Sequence, residues 1–267
     1  MRRLELQTEK MLAHVEDGVG WITFNQPAKR NAVSLAMWQA VPRIIDDFAS
    51  ADDVRVVVMT GAGDKAFVSG ADISEFEELR STTEQIEFYD AATSASSAAL
   101  RSLEKPLIAM IRGFCVGGGM AIALAADMRI SADDGQFGVP AAKLGLGYGY
   151  GGIKELMNLV GPSYAKEIFF TGQRFSAIEA EKMGLVNRVV PVDELEPTVT
   201  QYARTIADNA PLTVKAAKAA VNEGTKNPEE RDLDRVAEMV EACFKSEDYK
   251  EGRRAFMEKR KPRFQGR

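Results

Sequence analysis

The sequence predicts an α/β fold on three observations. Short apolar, β-branched runs alternate with amphipathic helical stretches, glycine-rich turns join strand-like to helix-like segments at two places, and the pattern turns almost wholly helical from Lys154 onward. With 267 residues, 45% of them hydrophobic, the chain can fill one large domain or a large domain with an appendage.

Residues 12–16 and 19–24 read as strands separated by Asp17-Gly18, a dipeptide that permits a tight hairpin turn. Residues 25–31 form a turn-rich loop. Ser34 can cap a helix reaching about residue 50, with Leu35, Trp38, Val41 and Ile45 on one face. Residues 54–60 are a continuous apolar run of the kind found in strands covered on both faces. Residues 66–74 give a short strand that breaks at Gly70 and leads into an acidic helix from about 74 to 80. A long helix is expected over 83–103, a strand over 106–111, a glycine-rich turn over 113–119 and an uncharged helix over 120–126. Short strands follow at 128–131 and around Phe137. Residues 146–152 are too rich in glycine for regular structure. Helices are expected at 153–160, 163–171 and 176–183, the last capped by Ser176 and closed by Gly184. Pro191 begins a boundary, after which 195–209, 211–224, 233–245 and 248–261 read as amphipathic helices that need something to pack on.

Composition narrows the function classes. The 34 basic and 39 acidic residues are well mixed and sum to −5, so no basic stripe points to nucleic acid. Residues 2–10 are polar, no signal core follows Met1, and no run approaches the ~18 apolar residues of a membrane span. A cytoplasmic protein with small-molecule or sister-subunit partners is expected. Cys115 and Cys243 stand far apart without metal-type spacing, so neither a disulfide framework nor a metal site is expected. The only histidine, His14, falls on the solvent face of the first strand, which argues against Ser-His-Asp and Cys-His chemistry.

Two turns can carry chemistry. In Ser69-Gly70-Ala71-Asp72 a strand ends and a helix begins. Gly70 permits backbone angles closed to other residues, and the first N–H groups of the following helix lack internal partners. Val116-Gly117-Gly118-Gly119 has the same context, and its glycines let a ligand approach the main chain. Neither is a phosphate loop or a full dinucleotide fingerprint. Asp72 reads as a helix-starting residue, and Asp127, after the uncharged helix, as one that fixes backbone.

A resemblance extends this reading. Ala66-Phe-Val-Ser-Gly-Ala-Asp-Ile, Val116-Gly-Gly-Gly-Met-Ala, Gln136-Phe-Gly-Val-Pro, Leu144-Gly-Leu, Thr171-Gly-Gln-Arg-Phe-Ser-Ala, Ala180-Glu-Lys-Met-Gly-Leu-Val-Asn and Ala255-Phe-Met-Glu-Lys-Arg-Lys-Pro occur in an order that resembles the crotonase, or enoyl-CoA hydratase/isomerase, superfamily over nearly the whole chain. The resemblance implies a spiral of repeated ββα units over residues 1–195, holding an acyl-CoA site, and a C-terminal helical trimerisation region over 196–267, assembled as a homotrimer or hexamer. It implies that the N–H groups of Ala71 and Gly118 form an oxyanion hole for a thioester enolate. Ala71, Asp72, Ile73 and Ser74 would line coenzyme A, which enters as part of the substrate with no separate cofactor. Lys29 and Arg30 would lie near its phosphates and Lys259, from a neighbouring subunit, near its nucleotide end.

The chain departs from the family at the reacting groups. Hydratases of the family use two glutamates, at places held here by Ala121 and Ala141, and neither alanine can move a proton. The Leu-Gly-x-x-Tyr spacing ending at Tyr148, Lys166-Glu-Ile-Phe-Phe-Thr and Ser246-Glu-Asp-Tyr-Lys-Glu-Gly resemble methylmalonyl-CoA decarboxylases of the superfamily, although these carry histidine where this chain has Ala71. Decarboxylation yields the enolate without a base, and Tyr148 would orient the leaving carboxylate. The expected function is therefore an acyl-CoA lyase of decarboxylase-like chemistry, with a non-catalytic acyl-CoA binding protein as the alternative.

Overall fold

The computed structural model describes residues 1–75, 79 and 81–267. A two-residue strand, β1 (Arg2–Arg3), pairs antiparallel with β2 (Met11–Glu16), which returns as β3 (Val19–Phe24). Asp17 (φ 50°) and Gly18 (φ 80°) both take the left-handed backbone that a tight two-residue hairpin requires. Met11, Ala13 and Val15 point inward, so His14 stays on the outer face, where its ring stacks on Trp21 at 6.2 Å. The Ser34 hydroxyl accepts the Met37 N–H and starts α1 (Leu35–Ser50), whose buried stripe is Met37, Trp38, Val41, Ile44, Ile45 and Phe48.

The chain then repeats a ββα unit three times. The units are β4 (Val56–Gly61), β5 (Ala66–Val68) and α2 (Thr83–Ser102); β6 (Leu107–Ile111), β7 (Phe114–Val116) and α3 (Gly118–Leu124); and β8 (Met128–Ala132), β9 (Gln136–Gly138) and α4 (Tyr150–Thr171). The first strand of each unit joins a large sheet ordered β1-β2-β3-β4-β6-β8-β11, closed by β11 (Arg188–Val190) and parallel from β3 onward. The second strand of each joins a small sheet ordered β10-β9-β7-β5, parallel except at β10 (Phe175–Ser176). Each unit therefore advances both sheets by one strand, and the chain winds as a spiral.

Side-chain alternation explains the unbroken apolar runs. Val57, Met59, Leu107 and Ala109 enter the main core, while Val56, Val58, Ile108 and Met110 pack from the other face against Leu195, Val199 and Ala203 of α6 (Leu195–Ala207). Residues 195–207 thus pack on the sheet rather than standing off it. A short helix, α5 (Ala177–Lys182), opens on the reciprocal cap of Ser176 and Glu179. Beyond α6 run α7 (Pro211–Gly224), α8 (Leu233–Lys245) and α9 (Glu247–Met257). No residue of α8 is buried, and Val240, Phe244, Phe256 and Met257 are exposed, so this end presents apolar side chains that a single chain leaves uncovered. Among the described residues, no helix is long and apolar enough to cross a membrane.

Several expectations need correction. Residues 113–119 are not all turn: Phe114–Val116 form β7 because the flanking strands β5 and β9 offer partners on both sides. Residues 150–152 are not irregular but make the first turn of α4, with Gly149 in extended backbone before it. The two helices expected at 153–160 and 163–171 meet in one run interrupted at Gly161 (φ 75°). The strand expected at 54–60 starts at Val56, because the N–H groups of Val54 and Arg55 turn back to the carbonyls of Ala51 and Gly18. The described beginning of the acidic segment, Ile73–Glu75, is a 3-10 turn, and most of the helix expected to residue 80 lies outside the described residues.

Two polar groups fix α3 from behind. The buried Arg129 guanidinium donates to the carbonyls of Ala126 (2.6 Å), Leu185 (2.7 Å) and Ala123 (3.3 Å), closing the C-terminal end of the helix. Asp127 Oδ2 accepts the Leu107 N–H at 2.7 Å and the Lys218 ammonium at 2.8 Å, a backbone-fixing role as its sequence position suggested.

Candidate active site

The spiral brings the two glycine turns together. β5 and β7 are parallel neighbours, with Ala66 opposite Phe114 and Val68 opposite Cys115, so the chain leaves both strands at the same edge of the small sheet. A Cβ built on Gly118 would lie 3.6 Å from the Ala71 nitrogen, ordinary contact distance. One built on Gly119 would meet the Val68 carbonyl oxygen at 2.0 Å, so α3 rests against β5 at main-chain contact.

Each amide is aimed by bonds to the rest of its peptide. Gly70 takes φ 123°, and its carbonyl accepts the Val33 N–H at 2.8 Å. The peptide is trans, so the N–H of Ala71 points away from Val33 on the opposite side of the same plane. The Val33 carbonyl in turn accepts the Asp72 N–H at 2.9 Å, which pins the turn on both sides of Ala71. In the second turn Gly117 (φ 56°) donates its N–H to the Gly138 carbonyl at 2.9 Å, and its own carbonyl accepts from Ala121 at 3.2 Å. Gly118 is thereby the first helical residue of α3, and its N–H projects from the helix start. Among the described residues, neither the Ala71 nor the Gly118 N–H has an acceptor. Two half-buried donors at adjacent turns can receive one oxygen bearing negative charge.

The first turn is charged beneath its surface. Asp72, 3% exposed, accepts on Oδ1 from the Ser74 N–H (3.2 Å) and hydroxyl (2.6 Å), and on Oδ2 from Lys29 Nζ (2.8 Å) and Gln26 Nε2 (3.1 Å). Burial pushes its carboxyl up, but the hydrogen bonds from Lys29, Ser74 and Gln26 outweigh this and hold the pKa down at about 2. Asp72, expected to start a helix, caps the 3-10 turn Ile73–Glu75 and has a second connection to the 25–33 loop that its position alone did not reveal. Gln26 and Val33 were not singled out in the sequence. Their only signal is the polar crowding of that loop, anchored by buried Asn31, whose side-chain amide donates to the Ala62 and Ala66 carbonyls at 2.9 and 2.8 Å.

The other site candidates fall in different places. Ile73 and Ser74 are exposed beside the turn. Arg30 is exposed and lies over the Phe114 ring at 4.9 Å, one strand before the second turn. Lys259 lies beyond α9, on a segment held within the chain by the Arg260–Glu251 and Lys261–Asp208 ion pairs, and among the described residues no hydrogen bond or ion pair joins it to either turn. Tyr148 packs edge-on against Phe169 with ring centroids 5.1 Å apart, on a loop tied to the 3-10 turn Pro140–Leu144 by the Leu146 N–H donating to the Ala141 carbonyl at 3.0 Å. Burial pushes its phenol up, so it stays protonated at neutral pH, and its hydroxyl has no partner among the described residues. Ala121, on α3 just behind the second turn, is half-buried and Ala141 is buried.

Comparison with known proteins agrees with the fold. The model of the enoyl-CoA hydratase/isomerase family matches residues 14–267. A short-chain-enoyl-CoA hydratase of Clostridium acetobutylicum is 38% identical over 256 residues, covering 96% of this chain and 97% of that protein. A crotonyl-CoA hydratase of Syntrophomonas wolfei is 38% identical over 260 residues, with 96% and 98% covered. The crystal structure of an enoyl-CoA hydratase/carnithine racemase from Magnetospirillum magneticum superposes with a TM-score of 0.90 at 34% identity, covering 98% of this chain and 97% of that one. The architecture is the crotonase spiral. The chain belongs to the enoyl-CoA hydratase/isomerase family.

Proposed function

We propose that this chain is a lyase acting on an acyl-CoA thioester, and that it works by stabilising an enolate between the Ala71 and Gly118 N–H groups. The observation that carries the reading is the adjacency of two amides without an acceptor among the described residues, each aimed by bonds on the far side of its own peptide. Donors fixed in advance need no reorganisation when charge develops on the thioester oxygen. Ala71, Asp72, Ile73 and Ser74 line the coenzyme, with Arg30 on the neighbouring loop, where Lys29 is bonded to Asp72 and Ser74. Lys259 reaches the nucleotide end from a neighbouring subunit of a homotrimer or hexamer.

The absence of a carboxylate at positions 121 and 141 favours decarboxylation over hydration. Breaking the bond between the α-carbon and a carboxylate releases carbon dioxide and leaves its electron pair in the enolate, which solvent then protonates at the α-carbon. No protein base takes part. The neutral Tyr148 hydroxyl donates to the departing carboxylate and turns it out of the thioester plane. The names of the two hydratase relatives favour a second reading, hydration of a short enoyl thioester. A non-catalytic acyl-CoA carrier is the third.

Turnover separates them. Purified protein is offered malonyl-CoA, methylmalonyl-CoA and crotonyl-CoA, and release of carbon dioxide from the first two is expected. Hydration of crotonyl-CoA at enzymatic rates, on the order of 1–1000 per second, would overturn the reading of Ala121 and Ala141. Binding of all three without product would leave the carrier. Tyr148→Phe is expected to lower kcat for decarboxylation about tenfold, the worth of one hydrogen bond to a charged group; an unchanged rate removes Tyr148 from the chemistry.

A further inference from the structure

The ammonium of Lys29 is engaged by the first turn. It lies 2.8 Å from Asp72 Oδ2 and 2.7 Å from Ser74 Oγ, and the pair is unequally placed, the lysine side chain 49% exposed and the aspartate 4%. Asp72 is the residue directly after Ala71, and its main-chain N–H is bonded to the Val33 carbonyl. Gln26, which shares Asp72 Oδ2 with Lys29, also donates to the Ala32 carbonyl at 2.9 Å. The carboxylate thus ties together the two chain segments whose pairing aims the peptide between Gly70 and Ala71. Among the described residues every donor on it except Lys29 is neutral, so there Lys29 alone supplies compensating charge to an anion that is otherwise withdrawn from water.

We propose that Lys29 is a positioning residue of the oxyanion turn, acting through Asp72 on the direction of the Ala71 N–H, and not a ligand of the coenzyme's phosphates. The inference rests on the enolate-stabilising function proposed above. Without the ammonium, the buried carboxylate must draw in water or rotate toward solvent. Either movement twists the turn that carries Ala71, and the loss falls on charge stabilisation at the thioester oxygen.

The two roles differ in which substrate notices the lysine. A phosphate ligand matters only to thioesters that carry phosphates, and its loss raises KM. A positioning residue matters equally to a short thioester without the nucleotide, and its loss lowers kcat. The experiment compares wild type, Lys29→Met, Lys29→Arg and Asp72→Asn on one thioester that wild type turns over, presented as the coenzyme A ester and as the N-acetylcysteamine ester. Lys29→Met is expected to lower kcat by about tenfold or more, by the same factor for both esters, as displacement of a catalytic donor does. Lys29→Arg should restore most of the loss. The double variant Lys29→Met with Asp72→Asn should be no worse than the poorer single one, since both break one linkage. A rise in KM confined to the coenzyme A ester, with kcat unchanged, overturns the proposal.

The infrared carbonyl stretch of bound butyryl-CoA supplies a readout that needs no turnover. Wild type should shift it to lower frequency, and Lys29→Met should reverse part of that shift; a shift unaltered in a folded Lys29→Met protein also overturns the proposal. Absence of any shift in wild type speaks instead against the oxyanion hole itself, so the two failures are distinguishable.

Discussion

Gly118→Pro is expected to lower turnover about 100- to 1000-fold while leaving the fold in place, the loss seen when one oxyanion donor is removed. Proline is suited to this position for the reason that makes the position useful. Gly118 is the first residue of α3, where an N–H has no partner within the helix and the proline φ matches helical backbone. The added Cβ meets the Ala71 nitrogen at 3.6 Å, which is ordinary contact. The restriction that proline places on the preceding residue falls on Gly117, a glycine already outside the helical region at φ 56° and ψ −114°. The substitution therefore deletes the donor and puts a ring carbon where the thioester oxygen would sit, with little demand on packing. Steady-state kinetics and a thermal melt on the same sample check it. A folded Gly118→Pro protein that keeps more than about a tenth of wild-type kcat would remove this amide from the chemistry, and with it half of the proposed site.

Much of the fold was legible because it depends on local pattern. Asp17-Gly18 specified the hairpin, Ser34 and Ser176 specified helix starts, and the continuous apolar run through Val57 and Met59 announced a strand covered on both faces. The misread segments depend on partners. Phe114–Val116 is too short and too close to glycine to read as a strand, and exists because β5 and β9 flank it. Two-residue β10 carries no period at all. The helix expected in the C-terminal appendage could not be placed on the sheet from its own amphipathic face, since the pattern gives a buried side without saying what buries it.

The site divides the same way. Gly70 and Gly117 marked themselves by residue type, since the turns require φ values of 123° and 56° that favour glycine. The convergence of the two turns was not local information. It follows from the parallel pairing of β5 with β7, which juxtaposes equivalent points of successive units. The engagement of Lys29 by Asp72 joins residues 43 apart in sequence, and neither carries a pattern that would announce the pair. Charged residues on loops read from sequence as solvated or as ligand contacts; only coordinates show one bonded to a buried carboxylate.

Gly119→Ala should be severely damaging, and for a reason opposite to that for Gly118. The new Cβ would lie 2.0 Å from the Val68 carbonyl oxygen, 2.8 Å from its carbonyl carbon and 2.9 Å from its Cβ, so no flexible side-chain end can give way. Relief requires α3 to withdraw from β5 by roughly 1 Å or more, against the Arg129 bonds at its far end and the Gly117 to Gly138 bond at its start. A loss of stability on the order of 3 kcal/mol or greater is expected, measured by denaturant unfolding, because main-chain packing on both sides must rearrange. Whatever folded protein remains should be nearly inactive. The same withdrawal carries the Gly118 N–H away from Ala71, and a displacement of about 1 Å in a catalytic group lowers rates about 100-fold. Gly224→Ala, in α7 with nothing within 4 Å of the added atom, is the control for the chemistry of the substitution and should stabilise the helix slightly or leave it unchanged. If Gly119→Ala melts with the control and turns over normally, α3 does not rest on β5 as closely as the structure has it, and the spacing between the two amides would have to be redrawn.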